Sequence, residues 1–160
     1  LLLLFILSFM SILLLSNYKS LFQKNSQIFN TGINAMVIEE WHKFVKTKDL
    51  NILDNILSKD VIFYSPAVHT PQVGIEITKK YLTTATEILC NGKFKYTSEI
   101  KGDYIASCEF EGYIDNIYVN GIDIIKWDIS DKIISFKVLV RPLKGLWILK
   151  EKMAEKLVKN

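Results

Sequence analysis

At Asn91-Gly92 the spacing of apolar residues changes from the repeat of a helix to the alternation of a strand, and no other feature limits the fold as much. Before it, Ile77, Tyr81, Ala85 and Ile88 recur at helical spacing between Gly74 and Cys90, with Leu82 and Leu89 widening the stripe. Glu76 sits in the first turn, where the helix dipole favours a carboxylate. After it, Phe94, Tyr96, Ser98 and Ile100 alternate with Lys95, Thr97, Glu99 and Lys101. A second strand, Tyr104 to Tyr113, puts Ala106, Cys108 and Phe110 on one face and Ile105, Ser107, Glu109 and Glu111 on the other. Helices first and strands afterwards point to an α+β domain.

The N-terminal side of this domain reads as two helices and a short strand. Ile38, Trp41 and Val45 share one helical face from Met36 onward, and Asp49 is a suitable N-cap for a short helix carrying Leu50, Leu53, Ile56 and Leu57. Val61 to Tyr64 is a β-branched and aromatic strand that Pro66 ends, and Ser65 to Val73 is a loop holding His69. On the C-terminal side, Asn120-Gly121 is either a hairpin turn or a bulge in one long strand that turns at Asp115-Asn116 instead. The bulge is preferred, because a long strand over a pocket must curve. Ser130-Asp131 turns again, and Ile133 to Arg141 is apolar on both faces, as a central or interface strand would be. Pro142 opens a last helix with the stripe Leu143, Leu146, Leu149, Met153 and Leu157.

Residues 36–160 form the domain, and residues 1–35 stand apart from it. Thirteen of the first fifteen residues are apolar, which is short for a membrane span. There is no basic stretch ahead of them and no A-x-A-like cleavage site. Residues 1–15 are therefore read as a signal or anchor, or as a dispensable extension, followed by a polar linker over 16–35. Membrane contact, if there is any, is expected only through residues 1–15; a chain starting near Met36 would be cytoplasmic. The net charge is +3, and Lys19 and Lys24 account for two of those charges, so the domain lacks the basic footprint of a nucleic-acid binder. Cys90 and Cys108 form no C-x-x-C pair and only His42 and His69 could join them, so no structural zinc site, and no cofactor, is expected.

Three segments carry a resemblance: Phe63 to Pro71 (FYSPAVHTP), Gly121 to Trp127 (GIDIIKW) and Val138 to Leu146 (VLVRPLKGL). In their order and spacing they resemble bacterial members of the nuclear transport factor 2-like superfamily, in particular its SnoaL-like branch, over residues 36–157. The resemblance implies a cone-shaped, curved antiparallel sheet covered by helices and enclosing a pocket. It also implies a repertoire of ketosteroid isomerases, polyketide cyclases, epoxide hydrolases, dehydratases and non-enzymatic binding domains, often dimeric through the convex side of the sheet.

Asp123 is the leading candidate for chemistry. It is a carboxylate on a strand of branched and aromatic residues, and it matches the strand aspartate that points into the cone in several enzymatic relatives. Apolar walls raise a carboxyl's pKa and so equip it to move a proton. His69 or Tyr64 is the candidate acid partner. Trp41, Tyr64, Tyr81, Glu109, Trp127 and Arg141 are candidate pocket residues, Trp127 by sharing the parity of Asp123 and Arg141 as a clamp for an anion or a partner of Asp123. Each has a plainer reading: a capped carboxylate at a sheet edge, a loop histidine, core aromatics, a wet-face glutamate, a structural ion pair. Three functions follow, in order of preference. The first is a domain enclosing a small, mostly apolar ligand; the second is a cofactor-free isomerase, cyclase or hydratase using Asp123; the third is a dimerising module with a filled cone. A homodimer through the sheet is expected in each case.

Overall fold

The computed structural model describes residues 36–159; the apolar segment and linker expected over residues 1–35 lie outside them. The described chain is an α+β domain with the expected order of elements and two differences: the first strand begins already at Leu57, expected on the second helix, and the loop expected over Ser65 to Val73 ends in a short strand. Helix α1 (residues 36–47) and helix α2 (Leu50–Ile56) lead into strand β1 (Leu57–Tyr64) and the two-residue strand β2 (Gln72–Val73). Helix α3 (Ile75–Leu89) follows, then strands β3 (Lys95–Lys101), β4 (Ile105–Ile114), β5 (Ile117–Trp127) and β6 (Ile133–Arg141), and helix α4 (Leu143–Lys159). Asp49 caps α2 as its side chain accepts from the Asn51 backbone N–H at 3.0 Å. None of the described helices is long and apolar enough to cross a membrane.

The strands form one sheet in the order β2-β1-β6-β5-β4-β3. The strand apolar on both faces, β6, lies inside it, flanked by β1 and β5. The sheet is mixed: β1 runs parallel to β6, and every other pairing is antiparallel. A parallel neighbour needs a long crossover, which α3 and the β3–β5 meander supply.

The β4–β5 turn is Asp115-Asn116, both residues with positive φ (47° and 64°), as a two-residue primed turn requires. The bulge expected at Asn120-Gly121 is not there. The register runs unbroken through Glu111↔Asn120 and Phe110↔Gly121 on one side and Gly121↔Val140 on the other. Gly121 answers a different need, because a Cβ there would stand 2.3 Å from Phe110 Cζ and 2.5 Å from the Leu139 carbonyl oxygen. Its hydrogen lets the Phe110 ring cross the strand. The irregularities fall elsewhere: between Leu57 and Ile62 where β1 pairs with β6, between Tyr96 and Ser98 where β3 pairs with β4, and between Lys126 and Trp127 where β5 pairs with β6.

The helices cover one face of the sheet. Trp41 of α1 packs at a tilt against Phe136 of β6 (4.7 Å between centroids), and Phe63 of β1 lies near Tyr81 of α3 (5.2 Å). Two apolar clusters form on this inner side. One gathers α1, α2, β1 and the far end of β5 around Phe44, Leu53 and Trp127; the other gathers the end of α3, β4 and α4 around Leu89, Phe110 and Leu149. A cavity lies among them.

Candidate functional site

The cavity has a volume of about 230 Å³ and is bounded by the inner face of the sheet, α3 and α4. Phe63, Phe110, Phe136 and Val138 form its sheet side, Leu82 and Leu89 its α3 side, and Met153 and Leu157 its α4 side. Asp123 is set into this apolar wall, and its side chain is where strand pairing dictates. Alternation along β5 turns Val119, Gly121, Asp123, Ile125 and Trp127 inward. The register then places Cys108 and Val138 on either side of Asp123, so no cation flanks it within the sheet.

Tyr96 makes the one hydrogen bond that the described residues give the carboxyl. Its hydroxyl donates to Asp123 Oδ2 at 2.9 Å and itself accepts from Trp41 Nε1 at 2.7 Å. Trp41, Tyr96 and Asp123 therefore form a directed chain from α1 through β3 to β5. Asp123 is only 6% exposed. Burial pushes its pKa up to about 7, against the lowering effect of the Tyr96 hydrogen bond. Burial, with the neighbouring Asp123 charge, holds the Tyr96 phenol well above its ordinary value, so it remains a donor. The arrangement is an acid that can take up or give up a proton near neutrality, held in position by a phenol that stays protonated. Besides the Trp41–Tyr96–Asp123 chain, the polar residues lining the cavity are Ser65, Tyr81, Thr86, Cys90 and Lys150.

Asp123, Trp41 and Tyr81 line the cavity, and the remaining candidates from the sequence do not. His69 is exposed in the β1–β2 loop, although Ser65 to Val68 of that loop reach the cavity wall. Tyr64 pairs in register with Lys137, whose ammonium lies 4.9 Å from its ring on the outer face. Glu109 is also on the outer face, where its Oε1 accepts from Asn120 Nδ2 at 3.0 Å. Arg141 is paired in register with Asn120 and donates to Asn120 Oδ1 at 3.3 Å, whereas the residue of β6 opposite Asp123 is Val138. Trp127 has the inward parity of Asp123, but it is buried in the α1–α2 cluster at the far end of β5. Parity alone does not separate these two ends of a strand.

Tyr96 was not among the sequence candidates. Its signal was present but indirect: it is the one phenol in the alternating set Phe94, Tyr96, Ser98 and Ile100, and a buried phenol needs a partner. The pairing that brings it to Asp123 is long-range and crosses two strand registers.

No protein-family model and no curated protein matches the chain. Solved structures do. A steroid delta-isomerase from Pseudomonas aeruginosa aligns with a TM-score of 0.75 and 29% identity, over 79% of this chain and 93% of that one. An uncharacterised protein with a cystatin-like fold from Silicibacter pomeroyi aligns with a TM-score of 0.72 and 20% identity, over 78% and 86%. The fold is shared as well by an epoxide hydrolase/cyclase-like enzyme with a role in pyran ring formation in the polyether salinomycin (TM-score 0.57, 11% identity, 70% and 92%).

Proposed function

We propose that this chain, a member of the nuclear transport factor 2-like superfamily, encloses a small, mostly apolar carbonyl compound and moves a proton on it through Asp123. The observation that carries the proposal is the Asp123 carboxyl: it faces an apolar cavity with its pKa raised to about 7 and its position fixed by Tyr96. The ionised carboxylate takes a proton from the carbon beside the carbonyl, and the C–H electron pair passes into an enolate. The carboxylic acid so formed returns the proton to another carbon of the same π system, which regenerates the carboxylate. One residue serves as base and then as acid, so the proton count closes on Asp123 alone. The likeness to a steroid delta-isomerase at 29% identity is consistent with this step.

The direct test is solvent exchange. The chain is mixed in D₂O with a panel of cyclic and branched unsaturated ketones, and loss of the proton signal beside the carbonyl is followed by NMR. The expected result is catalysed exchange of at least one member by the native chain and none by Asp123→Asn. A second reading, binding without turnover, draws on the scarcity of polar groups on the cavity wall. Binding of the same ketones with no exchange above background would favour it.

A homodimer through the outward face of the sheet belongs to this proposal, supported by the exposed side chains of Ile100, Ile105 and Leu139 there. Sedimentation of the purified chain at twice the monomer mass is the expected result; sedimentation as a monomer contradicts it.

A further inference from the structure

Next to the Tyr96–Asp123 pair, and outside the cavity, the fold gathers His42 of α1, Glu99 of β3 and Cys108 of β4. One ligand atom from each, an imidazole nitrogen, a carboxylate oxygen and the Cys108 sulfur, lies within 4.8 Å of the other two. We propose that these three side chains form a binding site for a divalent transition-metal ion of the zinc type.

The irregularity in β3 makes the grouping. In a regular strand Tyr96 and Glu99 have opposite parity and point to opposite faces. The register shift between Tyr96 and Ser98 turns Glu99 to the side of Cys108, its partner across the strands. His42 closes the group from above, its ring packed edge-on against Tyr96 at 4.6 Å.

Two details suit an ion. His42 Nε2 is buried and pairs with Glu99 Oε1, so a nitrogen and an oxygen donor already converge beside the Cys108 sulfur. Glu99 is also held by its other oxygen: Lys101 Nζ lies 3.1 Å from Oε2, which leaves Oε1 for the site, in the way an outer partner orients a ligating carboxylate. Nitrogen, oxygen and sulfur ligands about 2.0–2.3 Å from a tetrahedral zinc ion stand about 3.3–3.7 Å from one another, so the His42–Glu99 contact opens to admit the ion within the 4.8 Å span of the group. Ligation by Cys108 expels its thiol proton to solvent. Three protein ligands leave the fourth position to water. The ligands are far apart in sequence, which is why their spacing matches no metal motif.

Cobalt tests this. The full chain, stripped with a chelator, is titrated with Co²⁺ and followed by its near-ultraviolet thiolate-to-metal absorption. One Co²⁺ per chain with that band, displaced by Zn²⁺, is expected. The band persists in Cys90→Ser and disappears in Cys108→Ser. Glu99→Gln, at a solvent-facing position, weakens the ion by about tenfold or more while keeping the native circular dichroism. If Cys108→Ser does not fold, the Glu99→Gln titration decides. Absence of the band in the native chain, its survival in Cys108→Ser, its loss in Cys90→Ser, or unchanged affinity in Glu99→Gln would each overturn the site.

Discussion

Two tyrosine–carboxylate pairs stand on opposite faces of the same group of strands. On the inner face Tyr96 donates to Asp123 at 2.9 Å; on the outer face Tyr118 donates to Glu111 at 3.1 Å. The bonds are alike and the carboxyls behave oppositely. Asp123 is pushed up to about 7 because burial outweighs its hydrogen bond. Glu111 is held below its ordinary value, first by the hydrogen bond from Lys95 and then by that from Tyr118, with little desolvation to oppose them. Burial on one face, and exposure with a cationic partner on the other, decide where the proton rests. The lesson extends to function, since only the dry pair combines a titratable acid with a cavity.

The largest difference between the pairs is expected in activity. Asp123→Asn lowers proton exchange on a bound ketone by about 100-fold or more, whereas Glu111→Gln leaves it unchanged. In the native chain exchange rises with pH through about 7, because the base must be ionised. Equal losses in the two variants would break the comparison.

Stability against pH comes next. The folded Asp123 carboxyl lies above its unfolded value of about 4, so its contribution is complete below that pH and is lost as the pH climbs through about 7. Asp123→Asn removes that loss. In urea melts the variant should match the native chain near pH 4 and gain on it toward pH 8, with a ceiling of about 4 kcal/mol. Glu111 has the opposite sign: its contribution is present above the ordinary glutamate range and is lost on acidification. A native chain whose stability does not change between pH 5 and 8 relative to Asp123→Asn would contradict the inner half of the account.

The two tyrosines sharpen the contrast further. Tyr96→Phe deprives Asp123 of its hydrogen bond and leaves Trp41 Nε1 without its acceptor, at a cost of about 1–3 kcal/mol in denaturant melts. It also moves the Asp123 midpoint further up, since the bond it removes favours the ionised form. Tyr118→Phe, on the wet face, should leave the Tm within experimental scatter.

Much of the fold was legible because local rules wrote it. The change of period at Asn91-Gly92 separates α3 from the strands, Asp49 caps α2, and the double apolar character of Ile133–Arg141 marks a central strand. The site was legible only in part. Strand parity turns Asp123 inward, but it gives Trp127 the same direction, and only the packing of α1 and α2 takes Trp127 out of the cavity wall. Arg141 and Glu109 fell on the outer face because of their register with β5, which depends on where the β4–β5 turn sits. Once Asp115-Asn116 takes that turn, Asn120-Gly121 becomes mid-strand, and its glycine serves the Phe110 ring. Tyr96 and Glu99 share a face only because of one extra residue in β3, which no alternation pattern reveals.

The central claim is that a dry wall, with Tyr96 attached, keeps the Asp123 proton near neutrality. Carboxyl-carbon NMR of aspartate-labelled chain, assigned with Asp123→Asn, measures it directly. The account predicts one aspartate with a midpoint near 7 that vanishes in the variant. A midpoint for Asp123 in the ordinary carboxylate range, about 4, would contradict it.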